Sequence, residues 1–365
     1  MKKVLMSMGH PAQYHFFKHT ARRLMKEGYE VKMVIKTKDV LEQLLKEDGW
    51  EYVNVQEKMR KNNKISIFIA SLKRSWAVIK IARKFKPDIL LGTGADVAHA
   101  GWLLRKPCVT TLEDDIEGIR NLTRMTYPFT NDILVPIPVR VGEWEKKKIG
   151  YAGYMKLAYL HPNEFTPDRN VLKRYGIEGK YILIRMVRLT AYHDVNVKGL
   201  NKAVIDNILR IAETNGYKVY ISSENEIRED LRKYQLKIKS TDIHHIMYYT
   251  SLLISDSQSM SVEAAMLGVP NIRFNDFAGR VSVLEELQND YHLTLGIMTN
   301  QPQRLVDEVE KALSNPNIRN EFKERRQKML NNKIDVTAFL TWYIKDYPQS
   351  RDIMKQNPNF QYKFK

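Results

Sequence analysis

The chain has almost no cysteine, because Cys108 is the one cysteine among 365 residues. A single cysteine cannot form an internal disulfide, so the sequence excludes a small secreted scaffold held by disulfides and is typical of a reducing compartment. Cys108 follows Pro107 in an apolar stretch, which favours a buried structural thiol over a reactive nucleophile.

Long apolar runs are also missing. No stretch approaches the roughly 18 uninterrupted apolar residues of a membrane-spanning helix. The first residues, MKKVLMSMGHP, contain an apolar run that is too short for a signal peptide and that His10 and Pro11 interrupt. We therefore expect a cytoplasmic protein.

Two familiar ligand motifs are absent as well. The predicted first strand leads into a turn with one glycine, Gly9, and not into the GxGxxG loop of a dinucleotide-binding site. His193 and Asp194 do not have the spacing of a metal-ligand set. We expect neither a bound cofactor nor a metal ion.

Acidic residues are fewer than basic ones, 42 against 59, and the formal net charge of +17 predicts acidic partners. Between residues 58 and 86 no residue is acidic, whereas ten are basic: Lys58, Arg60, Lys61, Lys64, Lys73, Arg74, Lys80, Arg83, Lys84 and Lys86. Bulky apolar residues, among them Leu72 and Trp76, lie between them. The pattern indicates either a segment that binds an anionic membrane surface or a solvated helix whose apolar side is core.

A nucleic-acid partner is the other reading of the charge. No RNA- or DNA-binding motif is present, and the aromatic residues are spread along the chain instead of forming a stacking platform. We therefore expect no nucleic-acid partner.

Short apolar strands alternate with helices twice along the chain, which predicts an α/β fold with parallel sheets in two Rossmann-like domains that face each other across a cleft. The alternation lapses over 136–167, where prolines and glycines suggest a linker. We predict an N-terminal acceptor-side domain over 1–155 and a C-terminal donor-side domain over 165–335. A helix over 336–345 and a basic tail to 365, unstructured from Met354, would pack back on the first domain.

The richest motif lies near residue 255. An apolar strand runs into Ser255, Asp256 and Ser257, and a helix that carries Glu263 follows and stops at Gly268. The unpaired N–H groups at a helix start bind phosphate, and a carboxylate about one and a half turns further on suits a ribose diol. The predicted donor-binding residues here are Asp256, Ser257, Gln258, Ser259, Met260 and Glu263.

Two neighbouring strand ends add to this prediction. Asp276 would bind hydroxyl groups of a donor sugar and Arg280 a phosphate. Arg185 stands in an otherwise apolar strand, where a charge is costly unless it is paired. Its partner would be a diphosphate, a ligand carboxylate or Asp256. Just beyond that strand, Arg188 and His193 complete the predicted donor site.

Candidate catalytic residues follow the N-terminal strands. His10 and His15 lie at the first strand-to-helix turn, where a histidine would act as general base, cap the helix or pack locally. Of the acidic residues after the fifth strand, Asp114 is a candidate base, and the alternative is a solvated loop.

Sugar contacts are predicted at the same edge: Gly9, Gly94, Asp96 and Glu113. For Gly94 and Asp96 a tight turn in which Asp96 caps a helix fits equally well.

Three segments together resemble an uncharacterised GT-B-like family, the domain of unknown function numbered 354: GHPAQYHFFK, LIRMVRLTAYHD and SDSQSMSVEAAMLGVPNIRFNDFAGR. More distantly the chain is similar to UDP-N-acetylglucosamine 2-epimerases and to the peptidoglycan glycosyltransferase MurG. The resemblance implies a GT-B fold, a UDP-sugar held at Ser257, Ser259 and Glu263, and His15 facing the acceptor or the donor sugar. The epimerase glycine pair is replaced by residues 257–259, which weakens the epimerase reading.

These features predict a metal-independent glycosyltransferase. It would move a sugar from a nucleotide-diphosphate sugar, expected to be a UDP-sugar, to a lipid-linked or surface-polysaccharide acceptor at the inner face of the membrane. His15 would act as base, while Arg188, Arg280 and the helix start at 257–259 would stabilise the departing diphosphate. The alternative is an enzyme like UDP-N-acetylglucosamine 2-epimerase.

Overall fold

Two parallel β-sheets organise the chain, one in each of two units. Unit 1 comprises Met1–Glu164 and Lys333–Lys365, and unit 2 comprises Phe165–Asn332. The computed structural model describes residues 2–37, 40–56, 64–186, 200–223 and 227–365, and it describes 64–68 by backbone alone.

The sheet of unit 1 has seven strands in the order β3-β2-β1-β4-β5-β6-β7. They are β1 (Lys3–Met8), β2 (Glu30–Ile35), β3 (Tyr52–Asn54), β4 (Ile89–Gly92), β5 (Cys108–Thr111), β6 (Asp132–Pro136) and β7 (Lys148–Tyr151). The sheet of unit 2 has the order β12-β11-β10-β8-β9. Its strands are β8 (Tyr181–Met186), β9 (Lys218–Ser223), β10 (Leu252–Ser255), β11 (Asn271–Phe274) and β12 (Leu295–Ile297). All pairings are parallel, which confirms the predicted α/β fold.

Helices connect the strands and cover the sheets. In chain order they are α1 (Pro11–Lys26), α2 (Leu41–Glu47), α3 (Lys64–Phe85), α4 (Ala95–Leu104), α5 (Ile116–Thr126), α6 (Leu157–Leu160), α7 (Asn170–Arg174), α8 (Lys202–Thr214), α9 (Ile243–Tyr249), α10 (Gln258–Leu267), α11 (Ser282–Asn289), α12 (Pro302–Ser314), α13 (Ile318–Asn332), α14 (Val336–Lys345) and α15 (Gln349–Gln356). Parallel strands need such crossovers, and because the strands are parallel their carboxyl ends lie along one edge of each sheet.

The inner strands β4, β5, β6, β10 and β11 are short, largely apolar and buried throughout, as parallel sheets require. In unit 2, Ile254, Ile272 and Phe274 belong to one buried cluster that includes residues of α8 and α12. Cys108 is likewise fully buried in unit 1, and this burial raises the pKa of its thiol to about 12. The expectation of an inert structural thiol is thereby confirmed.

The linker predicted over 136–167 is wrong. Most of this range belongs to unit 1 and contains β7, which pairs with β6 from Ile133↔Lys148 to Pro136↔Tyr151. The strand is only four residues long and contains Lys148 and Gly150, so it lacks the apolar pattern that marks the other strands.

The prediction of an unstructured tail from Met354 is also wrong. Helix α15 extends to Gln356, and a 3-10 helix covers Pro358–Phe364. Gln361 is 1% exposed, and its side-chain oxygen accepts a hydrogen bond of 2.5 Å from the N–H of Ala152. Phe360 and Phe364 pack on Trp342 of α14 with ring centroids 5.0 and 5.4 Å apart. These tertiary contacts hold a segment whose composition predicts disorder.

Candidate functional site

The start of α10 has the geometry of an anion site. Ser257 is the N-cap residue, and its hydroxyl accepts the N–H of Met260 at 3.3 Å. The hydroxyl of Ser255 accepts the N–H of Ser257 at 2.8 Å. The next two N–H groups, of Gln258 and Ser259, have no partner among the described residues. Two donors at the positive end of a helix dipole therefore point away from the fold.

Glu263 lies further along the same helix and is buried. Its carboxylate is 3.3 Å from Nε2 of His244, which lies on α9 and is also buried. Sequence reasoning missed His244, because it comes from a short helix with no motif and is next to a second histidine. His244 orients the carboxylate predicted to bind a ribose.

The turn after β11 places two more predicted residues. A carboxylate oxygen of Asp276 accepts hydrogen bonds from the hydroxyl and the N–H of Thr299, so the fold positions its side chain. Arg280 is exposed at the end of this turn. Asn275 links the turn to the start of α10, since its amide donates to the carbonyl of Asp256 at 3.0 Å.

Arg185 lies in β8, and its Nη1 donates to the hydroxyl of Ser222 on β9 at 2.9 Å. The carbonyl of Arg185 accepts the N–H of Asp256 at 3.4 Å, which connects β8 to the turn before α10. Arg188 and His193, the other predicted residues after this strand, lie outside the described residues.

The two histidines of α1 have local structural contacts. His10 is the N-cap, and its Nδ1 accepts the N–H of Ala12 at 3.2 Å. The N–H of Gly9 donates to the side chain of Gln13 at 2.6 Å. His15 is only 6% exposed, and its ring stacks on Tyr159 with centroids 4.9 Å apart. Both contacts agree with the capping and packing alternatives, and the burial of His15 counts against a general base that must reach an acceptor.

Gly94 is the N-cap of α4 and has extended backbone angles. The carboxylate of Asp96 occupies the space that a Cβ atom at position 94 would need, so a larger residue there would displace this carboxylate. The hydroxyl of Ser7 donates to the same carboxylate at 3.4 Å. Asp96 is therefore part of the turn that shapes the carboxyl end of β4.

The three acidic residues after β5 differ in their surroundings. Glu113 accepts the N–H of Met155 at 2.8 Å and pairs with the ammonium group of Lys156, which is 6% exposed. Asp115 is buried and accepts the N–H of Arg140 at 2.8 Å. Asp114 is exposed and has no hydrogen bond or ion pair with any described residue. Asp114 alone of the three is therefore available to a ligand at this sheet edge.

Helix α3 has a buried side and an exposed apolar side. Val78, Ala82 and Phe85 belong to the core of unit 1, whereas Trp76 is 66% exposed. Helix α4, which packs on α3, adds Trp102 at 62% exposure. We define the α3–α4 apolar face by Ile69, Leu72, Trp76, Trp102 and Leu103, all of which are exposed.

Basic residues border the α3–α4 apolar face. Lys73, Lys80, Arg83 and Lys84 are exposed on α3, and Arg74 donates to the side chain of Gln56 at 2.6 Å. In the part of the chain that the structure describes, every helix is too short or too polar to span a bilayer. One side of α3 is therefore core, as the solvated-helix interpretation expects, and the membrane-surface interpretation of the segment stays a prediction.

The chain is similar in sequence to one protein family and to a curated relative. The sequence model of the family described as "Protein of unknown function (DUF354)" matches residues 3–309. A curated relative from Pediococcus pentosaceus is 21% identical over 225 residues, which are 57% of this chain and 58% of that protein. It is the UDP-N-acetylglucosamine–N-acetylmuramyl-(pentapeptide) pyrophosphoryl-undecaprenol N-acetylglucosamine transferase. The match thus spans little more than half of the relative's length.

Solved structures share the fold at low identity. The UDP-GlcNAc 2-epimerase of Methanocaldococcus jannaschii, in complex with UDP-GlcNAc and UDP, has a TM-score of 0.62 at 16% identity, with 90% of this chain and 99% of that chain covered. The glycotransferase of kitacinnamycin has a TM-score of 0.58 at 11% identity, with 94% and 98% covered. These likenesses show the GT-B fold that the resemblance implied.

Proposed function

The chain belongs to the DUF354 family, and we propose that it is a metal-independent glycosyltransferase that uses a nucleotide-diphosphate sugar, expected to be a UDP-sugar. The observation that carries the proposal is the start of α10, where two N–H donors have no partner among the described residues and the same helix carries the buried carboxylate of Glu263. A diphosphate and a ribose diol match these groups in charge and in hydrogen-bond polarity.

The leaving group of the transfer is a nucleoside diphosphate, so the enzyme must stabilise the negative charge that develops on it when the bond to the sugar breaks, in addition to the charges the diphosphate already carries. The N–H groups of Gln258 and Ser259 supply fixed dipoles, and the exposed Arg280 supplies a mobile cation at the neighbouring turn. Such preorganised donors lower the barrier because they need little reorganisation when the bond to the sugar breaks. Arg188, outside the described residues, remains a further predicted cation.

The acceptor hydroxyl must lose a proton during transfer. Among the predicted bases, Asp114 is exposed, and its carboxylate makes no hydrogen bond or ion pair with any described residue. His15 is buried against Tyr159, and Nδ1 of His10 caps α1. We therefore assign the proton transfer to Asp114, with Glu113 and Lys156 holding the loop that presents it.

A ligand screen tests this function. We would measure the melting temperature with UDP, GDP, CMP, ADP and dTDP, each with and without EDTA. Ligands that bind the folded state raise the melting temperature. A free ligand concentration of about 100 times the dissociation constant adds roughly 2.7 kcal/mol to the free energy of unfolding. A shift with one diphosphate that survives EDTA supports the proposal, whereas no shift with any nucleotide contradicts it.

A UDP-N-acetylglucosamine 2-epimerase is the second candidate, favoured by the shared fold with an enzyme solved with UDP-GlcNAc and UDP. An epimerase needs no acceptor. Incubation with UDP-N-acetylglucosamine alone, followed by proton NMR, would then yield a new epimer or free UDP. A stable substrate that turns over only after an acceptor is added would exclude this candidate.

The α3–α4 apolar face supports a finer proposal, namely that the acceptor is lipid-linked and that this face lies on an anionic membrane. Exposed tryptophans bordered by lysines combine burial in the headgroup region with attraction to anionic lipids. Charge reversal of Lys73, Arg74 and Lys80 should abolish sedimentation with vesicles that contain phosphatidylglycerol.

Two controls sharpen the membrane test. Reversing the exposed Lys311, Lys323 and Lys328 in unit 2 changes the net charge by the same amount and should leave vesicle binding intact. The double variant Trp76→Ala, Trp102→Ala should bind vesicles more weakly even though its net charge is unchanged. Equal losses in the two charge-reversal variants would show unspecific attraction and contradict the proposal.

A further inference from the structure

Arg273 is an unexplained cation inside unit 2. It lies in β11, is 0% exposed and has the largest of the fully buried side chains. None of its Nε, Nη1 and Nη2 atoms has a hydrogen-bond partner among the described residues. Burial lowers the pKa of the guanidinium to about 10, so the group is still charged at neutral pH. A buried charge without a partner is costly, which suggests that its counter-ion comes from outside the chain.

The position of Arg273 follows from strand alternation. Ile254, Ile272 and Phe274 face the core formed with α8 and α12. Ser255 and Arg273 therefore face the opposite side, which α10 covers through its contacts with β10 and β11. Ser255 and Arg273 are register partners, about 5 Å apart across the ladder, and Ser255 comes two residues before the N-cap of α10. Arg273 thus lies at the level where α10 begins.

A glycine makes room for the guanidinium. Gly296 is the register partner of Arg273 on β12. Its missing Cβ atom would lie 2.6 Å from Nη2 of Arg273, so the side chain extends over the bare backbone of this glycine. The nearby side-chain oxygen of Gln288 accepts the N–H of Gly296 at 2.6 Å. The charge of Glu285 favours the charged form of Arg273, and within the described part of the chain the two side chains form no ion pair.

A second arginine lies on the other side of the same strand. Arg185 of β8 is the register partner of Ser255, so the row across the sheet reads Arg185, Ser255, Arg273. Because register partners in a parallel sheet point to the same face, two cations flank the strand that leads into α10. The guanidinium of Arg185 reaches the hydroxyl of Ser222 on β9 and that of Arg273 extends over Gly296 on β12, so the two cations lie on either side of the strand that leads to the open N–H groups of Gln258 and Ser259.

We propose that Arg273 is the internal cation of a phosphate-binding site whose outer part is the start of α10, and that a phosphate group of a nucleoside diphosphate supplies the missing counter-charge. The nucleoside part of the ligand rests on the proposed function, whereas the phosphate part does not. Arg273 attracts the phosphate electrostatically from inside the fold. Charges interact more strongly in the low dielectric of the interior than in water.

The test compares Arg273→Met with the wild type and with Arg319→Met as matched control. Arg319 is a half-buried arginine of unit 2 whose Nη1 has no partner among the described residues but whose Nη2 donates to the carbonyl of Tyr248 at 2.6 Å. Urea unfolding without ligand and isothermal titration with inorganic pyrophosphate, UDP and uridine would be measured for each protein. Uridine separates nucleoside binding from phosphate binding.

Removing an uncompensated buried charge should leave Arg273→Met at least as stable as the wild type, while its affinity for pyrophosphate and UDP falls tenfold or more. Binding of uridine should be unchanged. Arg319→Met should lose stability and keep its pyrophosphate affinity, because a satisfied donor is removed outside the site. Arg273→Lys, which retains the charge, should retain most of the pyrophosphate binding.

Three results would overturn the inference. Arg273→Met could unfold more easily than the wild type or fail to fold, which would show that the guanidinium is satisfied within the chain. It could bind pyrophosphate as tightly as the wild type. The wild type could bind UDP but not pyrophosphate, which would refute this site and leave the proposed function standing, whereas binding of neither ligand would refute both.

Discussion

Unit 1 and unit 2 each contain a strand that leads through a short turn into a helix at the sheet edge, β1 into α1 and β10 into α10. In α1 the first helical residue is Pro11, which has no N–H, and the N–H of Ala12 is capped by His10. In α10 the capping hydroxyl of Ser257 takes only the third N–H group, so the first two remain open. The same strand-turn-helix topology produces both helix starts. The residues at the first positions of each helix decide whether backbone N–H groups remain unpaired and can bind an anion.

This difference suggests a division of labour. The edge of unit 2 offers donors for a diphosphate, whereas the edge of unit 1 offers an exposed carboxylate, Asp114, and a helix start with no open donor in its first turn. Binding of the nucleotide and transfer of the acceptor proton should therefore be separable by mutation.

The largest effect should come from unit 1. Asp114→Asn should lower the rate of UDP release from the sugar donor by about 100-fold or more, because a positioned general base typically contributes that much. The dissociation constant for UDP should not change. Rates would be measured with a coupled UDP assay and affinities by calorimetry.

Asp115→Asn is the matched control for that change. Asp115 accepts the N–H of Arg140 and pairs with its guanidinium at 3.2 Å. We expect a loss of stability of about 1 kcal/mol and turnover close to that of the wild type. A similar rate loss in both variants would mean that the loop, and not the Asp114 carboxylate, matters.

The difference between the two helix starts can be tested by making the start of α10 resemble that of α1. Gln258→Pro removes one open N–H, and proline is tolerated at the first position of a helix. A charge-assisted hydrogen bond is worth about 1.5–3 kcal/mol, so UDP should bind roughly 10- to 100-fold more weakly. The melting temperature without ligand should stay near that of the wild type.

The reciprocal change is Pro11→Ala, which restores an N–H at the start of α1. UDP affinity should not respond, since α1 is not the predicted phosphate site. Calorimetry that found unchanged UDP binding by Gln258→Pro would refute the assignment of the phosphate to α10.

A third prediction concerns the structural role of α1. Glu164 pairs with Arg23 of this helix and lies 3.3 Å from His19, and burial raises the pKa of Glu164 to about 7. The folded state thus binds this proton more tightly than the unfolded state. The contribution of Glu164 to stability is present below pH 4.5 and is lost as the pH rises through about 7.

Burial lowers the pKa of His19 to about 4, so stability from His19 rises over part of the same range and masks the effect in the wild type. The informative quantity is the free energy of unfolding of the wild type minus that of Glu164→Gln. It should fall by roughly 2–3 kcal/mol from pH 4.5 to pH 7, at about 1.4 kcal/mol per pKa unit. A difference independent of pH would contradict the raised pKa.

The smallest effect should come from Glu263→Gln. Glutamine keeps the shape of the side chain beside His244 but binds ribose hydroxyls less strongly than a carboxylate does. We expect UDP to bind about tenfold more weakly, in line with the loss of about 1.4 kcal/mol. A diphosphate of 2′,3′-dideoxyuridine should bind both proteins equally, and an equal loss for both ligands would assign Glu263 a structural role.

Much of the fold was predictable because its signals are local. The strand before Ser255, the helix with Glu263 and its end at Gly268 were all expected, and Gly268 has a left-handed φ of 65° that glycine tolerates best. β7 escaped prediction because a four-residue strand with a lysine and a glycine has no distinctive pattern.

The candidate site was only partly predictable for a different reason. Three consecutive acidic residues look alike in sequence, and only the contacts with Lys156 and Arg140 distinguish Glu113 and Asp115 from Asp114. His15 resembles a surface base until Tyr159, far along the chain, is seen to stack on it.

By itself, the sequence determined the α/β class, the parallel strands and the helix start near Ser257, because backbone preferences and apolar periodicity act over a few residues. Only the tertiary structure decided that Glu263 meets His244 and that Arg273 is enclosed without a partner among the described residues. Burial and pairing depend on which distant segments pack together, and no short stretch of sequence records that choice.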